Sequence, residues 1–258
     1  MQRLARLVQQ THNTLPKRIA SKRNMGAQPA RDSSDRVWQA QGTVPPISAL
    51  DKDGISLLQR RLTNALARGT PRHMRFRWKE DTAEAAVLVI LCTVNGRVSM
   101  IFEERNNRLN SHGGEVCFAG GKADEDDGSL EHTALRETFE EIGLPEESIT
   151  MVGRLPPTPN KSGSLRVHAL VGVVEQPLDV GTLSVNRDEV HRVITLPLSH
   201  FYDPHNRELV AFRDGNVQVP QYGTDKRGLR IWGLTAFLLH EFLSRIGSPE
   251  NDVALPNL

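Results

Sequence analysis

The sequence is poor in cysteine and in long apolar runs, and its opening segment has no acidic residue at all. Only Cys92 and Cys117 occur among 258 residues, both within apolar segments and with no CxxC spacing. That argues against a disulfide scaffold or a zinc finger and for two buried thiols. The longest largely apolar run, Ala85 to Val94, is ten residues interrupted by Thr93, and mean hydropathy is −0.41. A membrane-spanning helix needs roughly twenty, so an integral membrane protein is not expected. Residues 1–31 contain seven Lys/Arg and no Asp or Glu. The remainder sets 25 Lys/Arg against 31 Asp/Glu, a net charge of −6, which argues against a general nucleic-acid binder.

Within that opening segment, Leu4, Leu7 and Val8 share a helical face with Arg3 and Arg6 beside them. An Arg-bearing, amphipathic, acid-free start has the composition of a mitochondrial transit peptide, although hydroxyl residues are few (Thr11, Thr14, Ser21). The expectation is a matrix protein; a disordered basic tail is the alternative. No apolar h-region follows the first arginines, and the last residues, Leu255-Pro256-Asn257-Leu258, are not a peroxisomal address.

Residues 32–54, rich in Pro, Gly, Ser and Asp, read as a linker, residues 55–248 as the folded domain and 249–258 as a tail. Apolar spacing predicts a helix over Ile55–Ala67 and another over Leu229–Ile246. Ala85–Val94 and Val98–Glu104 read as strands joined at Asn95-Gly96, a dipeptide suited to a tight hairpin turn. Further strands are expected at Val116–Phe118, Ile149–Leu155, Leu165–Val174, Glu189–Leu196, Leu209–Phe212 and Val217–Gln221. A strong helix is expected over Ser129–Ile142, closed by Gly143. Antiparallel hairpins mixed with a few helices predict an α+β fold.

The chemistry concentrates in residues 120–144, GGKADEDDGSLEHTALRETFEEIGL. Glu137, Glu140 and Glu141 stand at i, i+3 and i+4, on one face of the helix. Three carboxylates there repel unless cations offset them. Arg136 supplies one, and a divalent metal would supply the rest. Hard oxygen ligands suit Mg²⁺ or Mn²⁺, with substrate phosphate completing the shell. Gly120-Gly121 permits a turn that can point a carbonyl at the same ion. A solvated acidic helix face is the other reading of the same residues.

This run resembles the Nudix box: a glycine, then a glutamate, then Arg-Glu-x-x-Glu-Glu-x-Gly. Arg136-Glu137, Glu140-Glu141, Gly143 and Leu144 match its second half. The first half departs. Six residues separate Gly121 from the position of the first glutamate, which here is Gly128. The coenzyme A diphosphatases, one Nudix branch, have a similar extra residue and an Asp-x-x-Asp pair, here Asp124 and Asp127. Their upstream signature resembles Arg105 followed by Ser111-His112-Gly113-Gly114-Glu115-Val116-Cys117-Phe118-Ala119. Ala119 stands where the branch has proline, and Asn110 where a second arginine is usual. Asn186 to Val190, Leu196-Pro197-Leu198 and Ile231 to Ala236 also resemble the branch.

The resemblance implies a Nudix fold, with a mixed β-sheet sandwiched between helices, and a metal-dependent pyrophosphohydrolase using Mg²⁺ or Mn²⁺. Glu140, Glu141 and the Gly120 carbonyl would hold metal. Glu137 would orient or deprotonate the attacking water, and Arg136 would hold Glu137. Asp124 and Asp127 would either bind a further cation or cap and turn the loop. Glu189 would be a fourth metal carboxylate or a structural ion pair. The implied substrate is coenzyme A or acyl-CoA, split to 3′,5′-ADP and phosphopantetheine products. Its phosphates would meet Arg105 and Arg108, unless these form a solvated hairpin rim. The stretch Arg72, Arg75, Phe76, Arg77, Trp78 and Lys79 keeps other readings open: an RNA 5′-end stacked between cations, or simply a soluble edge. An RNA 5′-end or dinucleotide pyrophosphohydrolase, and an RNA-binding subunit of a mitochondrial RNA-processing or ribosomal assembly, are therefore the alternatives.

Overall fold

The computed structural model describes residues 47–67, 76–79, 81–109, 111–212, 217–224 and 228–247. The basic segment 1–31, most of the linker, Arg72, Arg75, Asn110 and the tail lie outside them. Helix α1 (Lys52–Ala67) is followed by strands β1 (Ala83–Val94), β2 (Arg97–Arg105), β3 (Val116–Cys117) and β4 (Gly120–Lys122). Helix α2 (Leu130–Ile142) comes next, then β5 (Ile149–Arg154), β6 (Thr158–Pro159), β7 (Leu165–Pro177) and β8 (Val190–Pro197). A small sheet of β9 (Arg207–Phe212), β10 (Val217–Gly223) and β11 (Arg230–Ile231) precedes helix α3 (Gly233–Gly247).

Among the described residues eight strands form one mixed sheet. Its backbone order is β3-β2-β1-β7-β5, with β4 on β1, β6 on β7 and β8 on β2. Strands β1 and β7 run parallel, Ala83 opposite Leu165 through Leu91 opposite Val173, and the other pairings are antiparallel. Successive β1 side chains alternate between two cores. Leu88, Ile90 and Cys92 pack toward α2, while Val89 and Leu91 join Leu58 and Leu62 of α1 and Leu239, Phe242 and Ile246 of α3. A strand covered on both faces must be apolar throughout, which is why residues 85–92 read as an unbroken run. The result is the expected α+β arrangement, a mixed sheet between helices.

Local signals place the elements. Asn95 (φ 50°) and Gly96 (φ 73°) turn the β1–β2 hairpin with the two positive φ angles its tight turn requires. Ser129 caps α2, its side chain accepting from His132 N, and Gly143 (φ 68°) closes it by donating to Phe139 O. Other boundaries moved. Helix α1 starts three residues before Ile55, because the Asp51 carboxylate accepts from Gly54 N at 2.9 Å, and Ile47 and Leu50 before it are buried. Helix α3 starts at Gly233, not Leu229, because Arg230 and Ile231 pair with Gly223 and Tyr222 of β10. Strand β4 was not foreseen; it has no apolar side chain to announce it. In the basic stretch, residues 76–79 form no strand, and the Arg166 guanidinium lies 4.7 Å above the Trp78 ring.

His240 of α3 is buried beside the Tyr222 hydroxyl, 3.4 Å from Nδ1. Burial, with the nearby Arg207 charge adding to it, pushes its pKa down to about 3. An unfolded histidine takes its proton near pH ~6.5. Between those values the unfolded chain binds the extra proton, so stability falls on acidification, by up to ~1.4 kcal/mol per pH unit from this group. In urea denaturation, His240→Asn should lose about 1–2 kcal/mol less than the parent between pH 7 and 5. An identical loss in both proteins would contradict this.

Candidate active site

Helix α2 buries Thr133, Ala134, Thr138 and Ile142 against the sheet, which turns Arg136, Glu137, Glu140 and Glu141 toward the end of β4. Arg136 organises them. Its Nε donates to Asp127 Oδ1 at 2.9 Å and its Nη2 to Asp127 Oδ2 at 2.9 Å, a bidentate pair. On its other side Nη1 lies 3.1 Å from Glu137 Oε1 and 3.2 Å from Glu140 Oε2. Asp127 is further held by Thr133 Oγ1 (2.9 Å), Asp124 N (3.0 Å) and His132 Nδ1 (3.1 Å). The Arg136 guanidinium holds the Asp127 carboxyl well below the usual carboxylate range. Asp127 thus anchors the arginine through oxygens already taken by protein donors, which favours the loop-turn reading there over the cation-binding one. Asp124 is exposed, with Oδ2 3.5 Å from Arg136.

The two glycines let the backbone reach the carboxylates. A Cβ on Gly121 would fall 2.3 Å from Glu137 Oε1, and one on Gly120 (φ 148°) would fall 2.3 Å from Ala86 O of β1. Gly120 N donates to Glu141 Oε2 at 2.8 Å. Glu137 is half-buried, and burial raises its pKa. Glu140 stays at the rim, its side chain 55% exposed.

Beneath Glu141 lies a residue the sequence analysis did not single out. Glu103 of β2 is 1% exposed and Glu141 2%. Burial pushes both carboxyls upward; the charge of Glu103 raises Glu141 further, while a hydrogen bond with Glu141 lowers Glu103. Cys117 Sγ donates to Glu103 Oε1 at 3.3 Å. Arg105 Nη1 lies 3.5 Å from both Glu103 Oε1 and Glu141 Oε1. Arg105 therefore faces the carboxylate cluster, whereas Arg108 is exposed on the loop. Glu189 sits in the turn before β8, exposed, with its charge near enough to raise both Glu103 and Glu137. One signal could have found Glu103: it follows Ile101 by two residues, and Ile101 packs toward α2.

A NUDIX domain model matches residues 82–214. The chain is a Nudix hydrolase. It is 39% identical over 177 residues to the human protein named mitochondrial coenzyme A diphosphatase NUDT8, covering 67% of this chain and 73% of that one. The mouse protein of the same name is 36% identical over 213 residues, covering 80% of this chain and 97% of its relative. Among solved structures, a MutT/nudix family protein from Enterococcus faecalis aligns with a TM-score of 0.42 and 14% identity, covering 76% of this chain and 74% of that one.

Nudix hydrolases generally use divalent metals, and the donor set here fits one: hard carboxylate oxygens, an excess of negative charge, and a buried oxygen, Glu103 Oε2, that meets no donor. No three His, Cys, Asp or Glu side chains among the described residues form a ready ion cage. Water and substrate phosphate would complete the shell.

The Arg136–Asp127 pair gives a direct test. Asp127→Asn should lower turnover about 10- to 100-fold, as loss of a group supporting metal ligands does, while circular dichroism stays that of the folded protein. Asp124→Asn, at an exposed position, should keep nearly full turnover with Mg²⁺. Equal effects from the two variants would contradict the anchoring role.

Proposed function

We propose that this Nudix hydrolase cleaves the pyrophosphate of coenzyme A or an acyl-CoA, giving 3′,5′-ADP and phosphopantetheine products. The observation that carries the reading is the alignment with the mouse coenzyme A diphosphatase over 97% of its length. The Asp124–Asp127 loop and the Ser111–Phe118 signature support it.

In this reading Glu137 orients the attacking water or takes its proton. Arg136, fixed by Asp127, holds Glu137 in place. Glu140, Glu141 and the Gly120 carbonyl would hold a divalent cation, whose charge would neutralise the pyrophosphate oxygens. Glu189 adds negative charge at the same point. Arg105 balances the buried carboxylates first, which leaves the exposed Arg108 as the candidate reader of the 3′-phosphate. The basic, acid-free residues 1–31 support delivery to the mitochondrial matrix. The RNA-end reading has less support, since Arg166 covers a face of Trp78.

Purified protein with Mg²⁺ or Mn²⁺ should be offered CoA, acetyl-CoA, dephospho-CoA, NADH, ADP-ribose, diadenosine polyphosphates and 5′-triphosphate RNA. CoA should exceed dephospho-CoA by about 1–3 kcal/mol in kcat/KM, the worth of charge-assisted contacts to the 3′-phosphate. Arg108→Ala should narrow that gap more than it lowers activity on dephospho-CoA. Cleavage of triphosphorylated RNA with CoA untouched would move the assignment to RNA ends.

A further inference from the structure

We propose that Glu103 belongs to the divalent-cation site, sharing the ion with Glu141 from the sheet side. The inference rests on the metal-dependent reading above, but Glu103 lies on β2, outside the helix motif that supports that reading.

Three observations lead to it. First, Glu103 Oε2 is buried and meets no hydrogen-bond donor, while Oε1 is turned toward Cys117 Sγ and Arg105 Nη1. A carboxylate oxygen left this way is costly unless something positive faces it. Second, Glu141 is the neighbouring carboxyl: a single atom, Arg105 Nη1, lies 3.5 Å from an oxygen of each, so the two acids converge on one cation. Third, the local cations are already committed. Arg136 is taken by Asp127 in two hydrogen bonds, and Arg105 is divided between Glu103 and Glu141 at 3.5 Å each. Two buried carboxylates, with Glu137 and Glu189 nearby, therefore outnumber the positive charge that reaches them. A small hard cation between Glu103 and Glu141 removes the surplus with the ligand type it prefers. The Cys117 thiol, directly opposite Glu103 in the β2–β3 ladder, sets the rotation of the carboxylate by donating to Oε1.

The test is Mn²⁺ binding, measured by electron paramagnetic resonance of the free ion, on the full chain and on Glu103→Gln and Glu141→Gln. Glutamine keeps an acceptor for Cys117 and preserves side-chain volume. Both variants should bind Mn²⁺ at least about tenfold more weakly. Unchanged affinity in Glu103→Gln, with affinity lost in Glu141→Gln, would overturn the role of Glu103 and leave the helix site standing. Unchanged affinity in both would overturn the metal-site reading and this inference with it. Should Glu103→Gln fail to fold, Mn²⁺-soaked crystals of the parent decide the matter. Anomalous density within coordination distance of Glu103 Oε2 supports the inference, and density touching only the helix glutamates overturns it.

Discussion

Carboxylates crowded at one end of a sheet repel, and the fold spends much of its local structure on keeping them there. Asp127 binds Arg136 through both oxygens, and Arg136 in turn faces Glu137 and Glu140. Arg105 bridges Glu103 and Glu141 from the sheet side. Removing Arg136 would leave the buried Asp127 carboxylate uncompensated, which costs more than the pair contributes. The arrangement therefore holds as a unit: loop 124–128 fixes the arginine, the arginine fixes the helix carboxylates, and the helix is seated by its apolar face.

The backbone supplies the second constraint. Strand β4 lies against β1 with Gly120 opposite Val87, at a position where any side chain would strike the β1 backbone. That approach brings Gly120 N to Glu141 and leaves room at Gly121 for the Glu137 carboxylate. The double-sided burial of β1 makes it a rigid base for this contact. The positions of the active-site groups thus follow from packing in the middle of the sheet, and the chemistry of a Nudix hydrolase is placed on that base.

Much of this was legible in the sequence, for identifiable reasons. Ser129 and Gly143 mark the ends of α2, Asn95-Gly96 marks the hairpin, and the Arg136 to Leu144 pattern marks the family, because each rests on local chemistry with one dominant solution. Glu103 was not legible because its partners, Cys117 and Glu141, are distant in sequence and meet only through the β2–β3 ladder and the helix packing. The anchoring role of Asp127 was hidden by the extra loop residue, which moves the acid one place before the usual glutamate position at Gly128. Strand β4 and strand β11 are two or three residues long and are held by pairing rather than by an apolar pattern. The basic run ending at Lys79 read as an edge or a nucleic-acid surface, yet Trp78 is engaged by Arg166 of β7, a contact no local pattern announces.

Glu141, buried beside Gly120 N, Arg105 and Glu103, is the residue on which the proposed metal site depends most. Turnover and thermal stability of Glu141→Gln, measured side by side with Mg²⁺ present for turnover and absent for melting, test it most directly. The expected result is a loss of about 10³-fold or more in kcat, the size of a large electrostatic contribution to the transition state. The melting temperature should equal or exceed that of the parent, because repulsion from Glu103 is relieved. Near-normal turnover, or a fall in melting temperature that tracks the lost activity, would contradict it.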